Sequence, residues 1–368
     1  MTDLRDLTLV IPAYNRPAYL ARQIEYWAGS GVQLCILDGS KNSADTDLVA
    51  HMGADVHYEY MPIGFNERLV HASNIVKTKY VALLGDDELY VKQGLRDCLD
   101  LLDTDQRLIG CVGRSLFFFH REGEIYGHQV YGKSQDVPEM HDDDLRRLRN
   151  SFPQGDPSGA PYLLYGVFRK EHWCTMFGSA YSRHYSSGYV YELALLIIGA
   201  CLGPTKMVDS LVWLRSGENP AMSSAAVNRK IGMGEWGTSP EFAPEYEDFM
   251  QRITGVLTRC GVTPLENIEA VVRDVAEQFF AYSLHKPHRP VAYWHRLLYF
   301  AARNTPRWAK TLLKRNMTKT LGTVLDYKGV AFSQALVQLK SKGVEFDSEE
   351  MADLSKFLNK FHALLKKN

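Results

Sequence analysis

From Leu7 to Leu84 the chain repeats one pattern: a short apolar run, a break of turn-forming residues, then a stretch with helical spacing. Leu7 to Pro12, Gln33 to Asp38, Val56 to Met61 and Tyr80 to Leu84 read as strands, and Pro17 to Ala28 and Asn66 to Val76 as helices with one apolar face. Strand and helix taken in turn predict a parallel α/β unit. In open α/β sheets ligands collect outside the carboxyl ends of the strands. Polar clusters stand at three of those ends: Ala13-Tyr14-Asn15-Arg16, Asp38-Gly39-Ser40 and Gly85-Asp86-Asp87-Glu88.

Further along, Gln93 to Leu102 is expected as a helix, followed by strands at Leu108 to Arg114 and Leu116 to His120. A polar excursion then runs from Tyr131 to Pro161, rich in Pro, Gly and Ser, with the character of a lid or acceptor loop. Leu193 to Leu202 fits a buried helix, because it is far shorter than the ~18 apolar residues of a membrane span. A strand near Leu211 to Arg215 closes the first region. The expected organisation is a catalytic domain over 1–218, a Gly/Pro/Ser-containing linker over 219–244 and a helical C-terminal region over 245–368. Asp347-Ser348-Glu349-Glu350 predicts the start of a terminal amphipathic helix.

With 368 residues, 45% of them hydrophobic and 23% charged, the chain can bury a full core. A net charge of -1 gives no overall pull toward nucleic acid. The six cysteines are scattered without a CxxC pair, so reduced, mostly buried thiols are expected. The opening residues lack the basic-then-apolar layout of a signal peptide, which predicts a cytoplasmic protein. Charge is nevertheless uneven. Between Glu277 and Asp326 no acidic residue occurs, while nine basic ones from Lys286 to Lys319 interleave with Tyr293, Trp294, Tyr299, Phe300 and Trp308. That composition suits an anionic membrane surface, reached over 286–319, and equally a solvated face or a homo-oligomer interface.

Adjacent carboxylates at the end of a buried strand favour a positive occupant, and hard oxygen ligands suit Mn²⁺ or Mg²⁺. An acidic turn or helix start is the plain alternative. The segments LTLVIPAYNRPAYL, LCILDGS and YVALLGDDEL, in that order, resemble the nucleotide-binding half of inverting family-2 glycosyltransferases with the GT-A fold. The resemblance implies a GT-A, Rossmann-like, mostly parallel sheet flanked by helices, with a C-terminal helical extension. It further implies that Pro12, Ala13, Tyr14 and Arg16 line the base pocket and that Asp38 meets uracil or ribose. Asp86 would face the ribose, and Asp87, with Glu88 beside it, the metal. Ala72-Ser73-Asn74 stands where relatives carry A-R-N, so the Arg is missing. Tyr165 to Lys170 resembles the G-x-x-x-F-R-[RK] stretch. In Leu211-Val-Trp-Leu-Arg215, which resembles L-x-x-x-R, Arg215 would grip the diphosphate, and Gly217 replaces a frequent His.

Inverting transfer needs a general base. Glu192 is the only carboxylate in Ser187 to Leu193, where relatives carry an E-D pair, and Asp156 in the Pro/Gly-rich loop is the second candidate. His141-Asp142-Asp143-Asp144 ahead of LRRLRN reads as a helix start rather than a metal patch. The function implied is metal-dependent transfer from a nucleotide-diphospho-sugar to a glycan or lipid-linked acceptor, at the inner face of the membrane or in the cytoplasm. The alternatives are a sugar nucleotidyltransferase and a non-catalytic binding or scaffold protein of the same fold.

Overall fold

The computed structural model describes residues 3–45, 48, 52–53, 55–121, 123–130, 143–152, 164–219, 231–262, 267–285 and 329–365. Strands β1 (Leu7–Ala13), β2 (Gln33–Asp38), β3 (Val56–Tyr60) and β4 (Tyr80–Leu83) form the expected parallel unit, in the spatial order β3-β2-β1-β4. Every residue of β1 and β4 is buried, as a strand covered on both faces requires. Beyond β4 the sheet becomes mixed. β8 (Val167–Arg169) runs antiparallel to β4, and β6 (Gly110–Arg121) antiparallel to both β8 and β7 (Glu124–Gln129). The long β9 (Thr205–Ser216) lies parallel to β6 and pairs antiparallel with β5 (Leu89–Tyr90). The short β10 (Val330–Ala331) borders β7 and completes a ten-stranded sheet.

Alternate side chains of the strands feed two cores. Leu7, Leu9, Ile11, Leu34 and Ile36 meet α1 (Pro17–Trp27) and α3 (Lys92–Thr104), whereas Val10, Cys35, Leu37 and Val81 meet α2 (Phe65–Ile75), α5 (Lys170–Ala180) and α6 (Tyr189–Leu202). The C-terminal helices divide between the two faces. α8 (Ala243–Arg259) and α9 (Ile268–His285) join the second core, while α10 (Phe332–Lys340) and α11 (Ser348–Leu365) return to the first through Phe332, Leu339, Met351, Leu354 and Leu358. Asp347 caps α11 by accepting from the Glu349 and Glu350 amides at 2.8 and 3.3 Å. The architecture is therefore α/β, a mixed sheet flanked by helices, with C-terminal helices added to it.

Within the stretch 219–244, Met233–Thr238 forms helix α7, whose Trp236 is fully buried. Its glycines serve close packing: a Cβ at Gly234 or Gly237 would come within 2.6 Å of Leu284 or 2.3 Å of Phe280. Asp143 caps α4 (Asp144–Ser151) by accepting from the Arg146 amide at 2.7 Å, so the acidic run does start a helix. All six cysteines are free thiols; Cys260 is exposed and the rest are buried or partly so. Among the described residues no helix is long and apolar enough to cross a membrane.

Candidate functional site

The ends of β1, β2 and β4 lie side by side, because Ala13 pairs with Asp38 and Val10 with Leu83. The first two ends are stitched together by short hydrogen bonds. Gly39 N donates to Ala13 O at 3.0 Å, Asn15 N to Ser40 Oγ at 2.7 Å and Lys41 N to Asn15 Oδ1 at 3.0 Å. Asn15 has φ of 54°, a left-handed conformation that Asn accepts more readily than most residues. Asp38 is buried, with Oδ1 accepting from the Ser40 amide and hydroxyl and Oδ2 from Tyr58 OH at 2.9 Å. A carboxylate accepts about four hydrogen bonds, so roughly one place remains for a ligand donor.

Under this junction lies Arg68 of α2, buried, donating through Nη1 to Ala13 O at 2.6 Å and Leu37 O at 2.7 Å. A Cβ at Gly39 would lie 2.5 Å from its guanidinium carbon, so glycine is required for the guanidinium to pass. Pro12 and Ala13 are buried in the strand end, and Tyr14 is 41% exposed.

The acidic turn closes with Glu88 N donating to Gly85 O at 3.1 Å. Polar residues on the inner face of α1 hold it. The Gln23 amide donates to Asp86 O at 3.0 Å and Glu88 O at 2.6 Å, and Arg22 Nη2 to Asp87 O at 2.6 Å. Gln23 is itself oriented by Trp27, whose indole donates to it at 3.1 Å. The three acids then differ. Asp86 Oδ1 pairs with Arg16 Nη1 at 2.7 Å, while its buried Oδ2 has no hydrogen-bond partner. Burial pushes the Asp86 pKa up to about 6 against the opposing pull of Arg16. Asp87 Oδ2 accepts from Asn219 Nδ2 at 3.0 Å and lies 3.4 Å from Arg16; burial raises its pKa too. Glu88, expected beside Asp87 as a second ligand, is instead buried beneath the turn, where Oε2 accepts from Trp213 Nε1 at 3.1 Å. Burial, and then the charge of Asp87, push its pKa up to about 8.

Glu192 lies in the first turn of α6 and is solvent-accessible, yet crowding by surrounding protein raises its pKa and only Arg215 opposes the shift. Arg215, on β9, is felt electrostatically by both Glu88 and Glu192. Asp156 and the basic segment 286–319 lie outside the described residues. Arg169, in the stretch resembling G-x-x-x-F-R-[RK], is structural: it donates to Leu108 O at 2.8 Å and Leu102 O at 2.6 Å.

Arg68, Arg22, Gln23, Glu218 and Asn219 contact the site although the sequence reading passed over them. Arg22 and Gln23 carry a usable signal, since they interrupt the face of α1 that also buries Leu20, Tyr26 and Trp27. Glu218 and Asn219 carry none, as their partners lie far away in the chain. Among the described residues no group of three or more His, Cys, Asp and Glu side chains is arranged to hold a metal ion. Mg²⁺ and similar ions at phosphate sites use only one or two protein carboxylates and complete their shell with phosphate and water.

Fold and site together define an α/β protein with a cluster of carboxylates at the carboxyl ends of a parallel unit, held by the buried arginines Arg22 and Arg68. No protein-family model matches the chain, and no curated protein sequence matches it. Among solved structures it is similar to S. aureus TarS 1–349, at 12% identity over 77% of this chain and 92% of that one, with a TM-score of 0.42. The same protein in complex with UDP-GlcNAc matches at 12% identity over 79% and 77%, with a TM-score of 0.45. Mannosyl-3-phosphoglycerate synthase from Rubrobacter xylanophilus matches at 11% identity over 69% and 73%, with a TM-score of 0.34. These values describe a distant likeness and bear on none of the residue assignments.

Proposed function

We propose that the chain is a GT-A-type glycosyltransferase that moves a sugar, with inversion, from a nucleotide-diphospho-sugar to a glycan or lipid-linked hydroxyl. The observation that carries this reading is the convergence of Asp38, Asp86 and Asp87 on the ends of three adjacent parallel strands, bridged at the turn by Arg16. In this reading Tyr14 and the junction at Pro12, Ala13 and Asp38 receive the base and ribose. Arg16 and Asp86, paired at 2.7 Å, order the ribose end. Asp87 fits a divalent cation, Mn²⁺ or Mg²⁺, since its side chain is 14% exposed where that of Asp86 is 4%; Glu88 does not, because Trp213 and the turn enclose it. When bound, the ion neutralises charge on the departing diphosphate.

The remaining work falls to side chains. Glu192 takes the proton of the acceptor hydroxyl as the oxygen forms its bond to the anomeric carbon and the bond to the diphosphate oxygen breaks on the opposite face. A pKa raised above the ordinary carboxylate range makes Glu192 a stronger base than a solvated glutamate. Arg215, whose charge acts on both Glu88 and Glu192, offers a fork of donors to the diphosphate.

The test is a thermal-shift panel of nucleotide-diphospho-sugars with and without Mn²⁺. Stabilisation that requires both ligand and metal is expected, and loss of that response in Asp87→Asn. Glu192→Gln is expected to bind as before and to stop transfer. A Glu192→Gln variant that turns over normally refutes the base, and no response to any nucleotide-diphospho-sugar refutes the reading as a whole.

A further inference from the structure

Asp87 receives a neighbour from a distant part of the chain. Asn219 Nδ2 donates to Asp87 Oδ2 at 3.0 Å across 132 residues of sequence. The contact is held from both sides by one residue: Arg22, buried in α1, donates Nη2 to Asp87 O at 2.6 Å and Nη1 to Glu218 Oε2 at 2.8 Å. Glu218 is 2% exposed at its side chain and also meets the imidazole of His362, which α11 brings in from the C-terminal end. Its backbone is pinned as well, with Glu218 N donating to Ser216 Oγ at 3.1 Å and Gly217 N to Phe118 O at 2.8 Å. Arg22 itself lies against the rings of Tyr19 and Phe361, 4.6 and 4.7 Å from their centroids. So much buried structure around residue 218 fixes where the next side chain stands.

We propose that Asn219 is the second protein ligand of the divalent cation at Asp87, presenting Oδ1 after a flip of its amide; this rests on the metal-dependent reading above. An amide carries a hard neutral oxygen opposite its NH₂, so a half-turn of the terminal torsion exchanges donor for ligand without moving the backbone. The Arg16 guanidinium, 3.4 Å from Asp87 Oδ2, keeps its closer partner Asp86 Oδ1 at 2.7 Å. Tyr19, which is also hydrogen-bonded to Asn219, has a hydroxyl that serves as donor or acceptor. Asp87 Oδ2 gives up an N–H and gains the ion. Among the other carboxylates nearby, Glu88 is engaged by Trp213, Glu218 by Arg22 and His362, and Asp86 by Arg16 through Oδ1, its Oδ2 being buried. One carboxylate and one amide oxygen are within the one or two protein ligands usual for an ion that keeps sites for phosphate and water.

The experiment is titration of the full chain with Mn²⁺ alone, followed by the electron paramagnetic resonance signal of the free ion, with melting temperature as the folding control. Asn219→Ala is expected to weaken Mn²⁺ binding about tenfold or more, at the low end of losses seen when a metal's close protein partners are removed. Asn219→Asp is expected to bind at least as tightly as the unaltered chain, because a carboxylate replaces the amide oxygen. If Asn219 served only as a hydrogen-bond donor to Asp87, the aspartate would repel it and binding would weaken. Weaker binding by Asn219→Asp, or unchanged binding by Asn219→Ala, overturns the proposal. Asp87→Asn separates the two levels: if it abolishes binding while Asn219→Ala leaves the affinity unchanged, Asp87 stands and Asn219 falls. If Asp87→Asn binds normally, or the unaltered chain binds no Mn²⁺ either alone or with a nucleoside diphosphate present, the parent reading falls as well.

Discussion

Replacing Glu88 by Gln should stabilise the metal-free protein, by an amount that grows with pH. Glu88 is 7% exposed, with Oε2 on the Trp213 indole at 3.1 Å and so little free space that a Cβ at Gly85 would lie 3.0 Å from it. Burial, then Asp87, lift its pKa from the ordinary 4.5 to about 8. A carboxyl whose pKa is raised in the folded state binds its proton more tightly there. Its contribution is fully present below pH 4.5 and is lost as the pH climbs through 8. At about 1.36 kcal/mol per unit, the gap between those values implies roughly 5 kcal/mol in total, of which about 3 kcal/mol is already lost at pH 7. Gln is neutral throughout and keeps an acceptor oxygen for Trp213, so it escapes this loss. Urea unfolding of both proteins in EDTA, followed by tryptophan fluorescence at pH 5, 6, 7 and 8, should show the difference widening by about 1.4 kcal/mol per unit across the lower part of that range. Chelation matters because a cation at Asp87 would favour the ionised form. A difference that stays flat with pH would mean that Glu88 titrates normally and that the carboxyl is hydrated or paired in solution.

Arg68→Met removes the guanidinium that joins the ends of β1 and β2, and with it two charge-assisted hydrogen bonds to buried carbonyls, so a loss of about 2–4 kcal/mol in unfolding free energy is expected, with weakened nucleotide binding. Calorimetry with a nucleoside diphosphate checks the second part, and unchanged affinity would detach Arg68 from the site. Gly94→Ala decides between two opposite expectations. Alanine is worth up to about 1 kcal/mol over glycine in a helix interior, but here the new Cβ would sit 2.3 Å from Leu211 O, so the melting temperature should fall. For transfer itself, a base with a raised pKa must be ionised to act, so the turnover rate should rise with pH through a midpoint above the usual carboxylate range. Glu192→Gln should remove that limb, and an unaltered pH profile would assign the midpoint elsewhere.

What the sequence made legible divides according to how local each signal is. The parallel unit was readable because each strand and helix from Leu7 to Leu84 declares itself within a dozen or so residues, and the sheet-edge rule then placed Asp38 and the acidic turn together without further information. The direction of a side chain inside that turn is not a local property. Asp86, Asp87 and Glu88 are consecutive and chemically alike, yet Arg16 takes the first, Asn219 the second and Trp213 the third, and these partners come from positions 16, 219 and 213. Trp213 is decisive for Glu88, because β9 pairs with β5 right after the turn and so slides an indole under it. The same reasoning covers the absent arginine of the Ala72-Ser73-Asn74 stretch. Ser73 turns back to Val70 O at 2.7 Å, and the buried cation beside the β1–β2 junction comes instead from Arg68, earlier on the same helix. Glycines misled in the opposite sense. Those in Met233–Thr238 suggested a linker, whereas they let α7 press against Phe280 and Leu284 and bury Trp236. The deepest contact was also the least visible: α11 returns from the end of the chain to set His362 against Glu218, and through Arg22 that contact reaches Asp87 O. Its amphipathic spacing predicted a helix but not the surface it covers. An apolar stripe says that a face will be buried, and only the fold says against what.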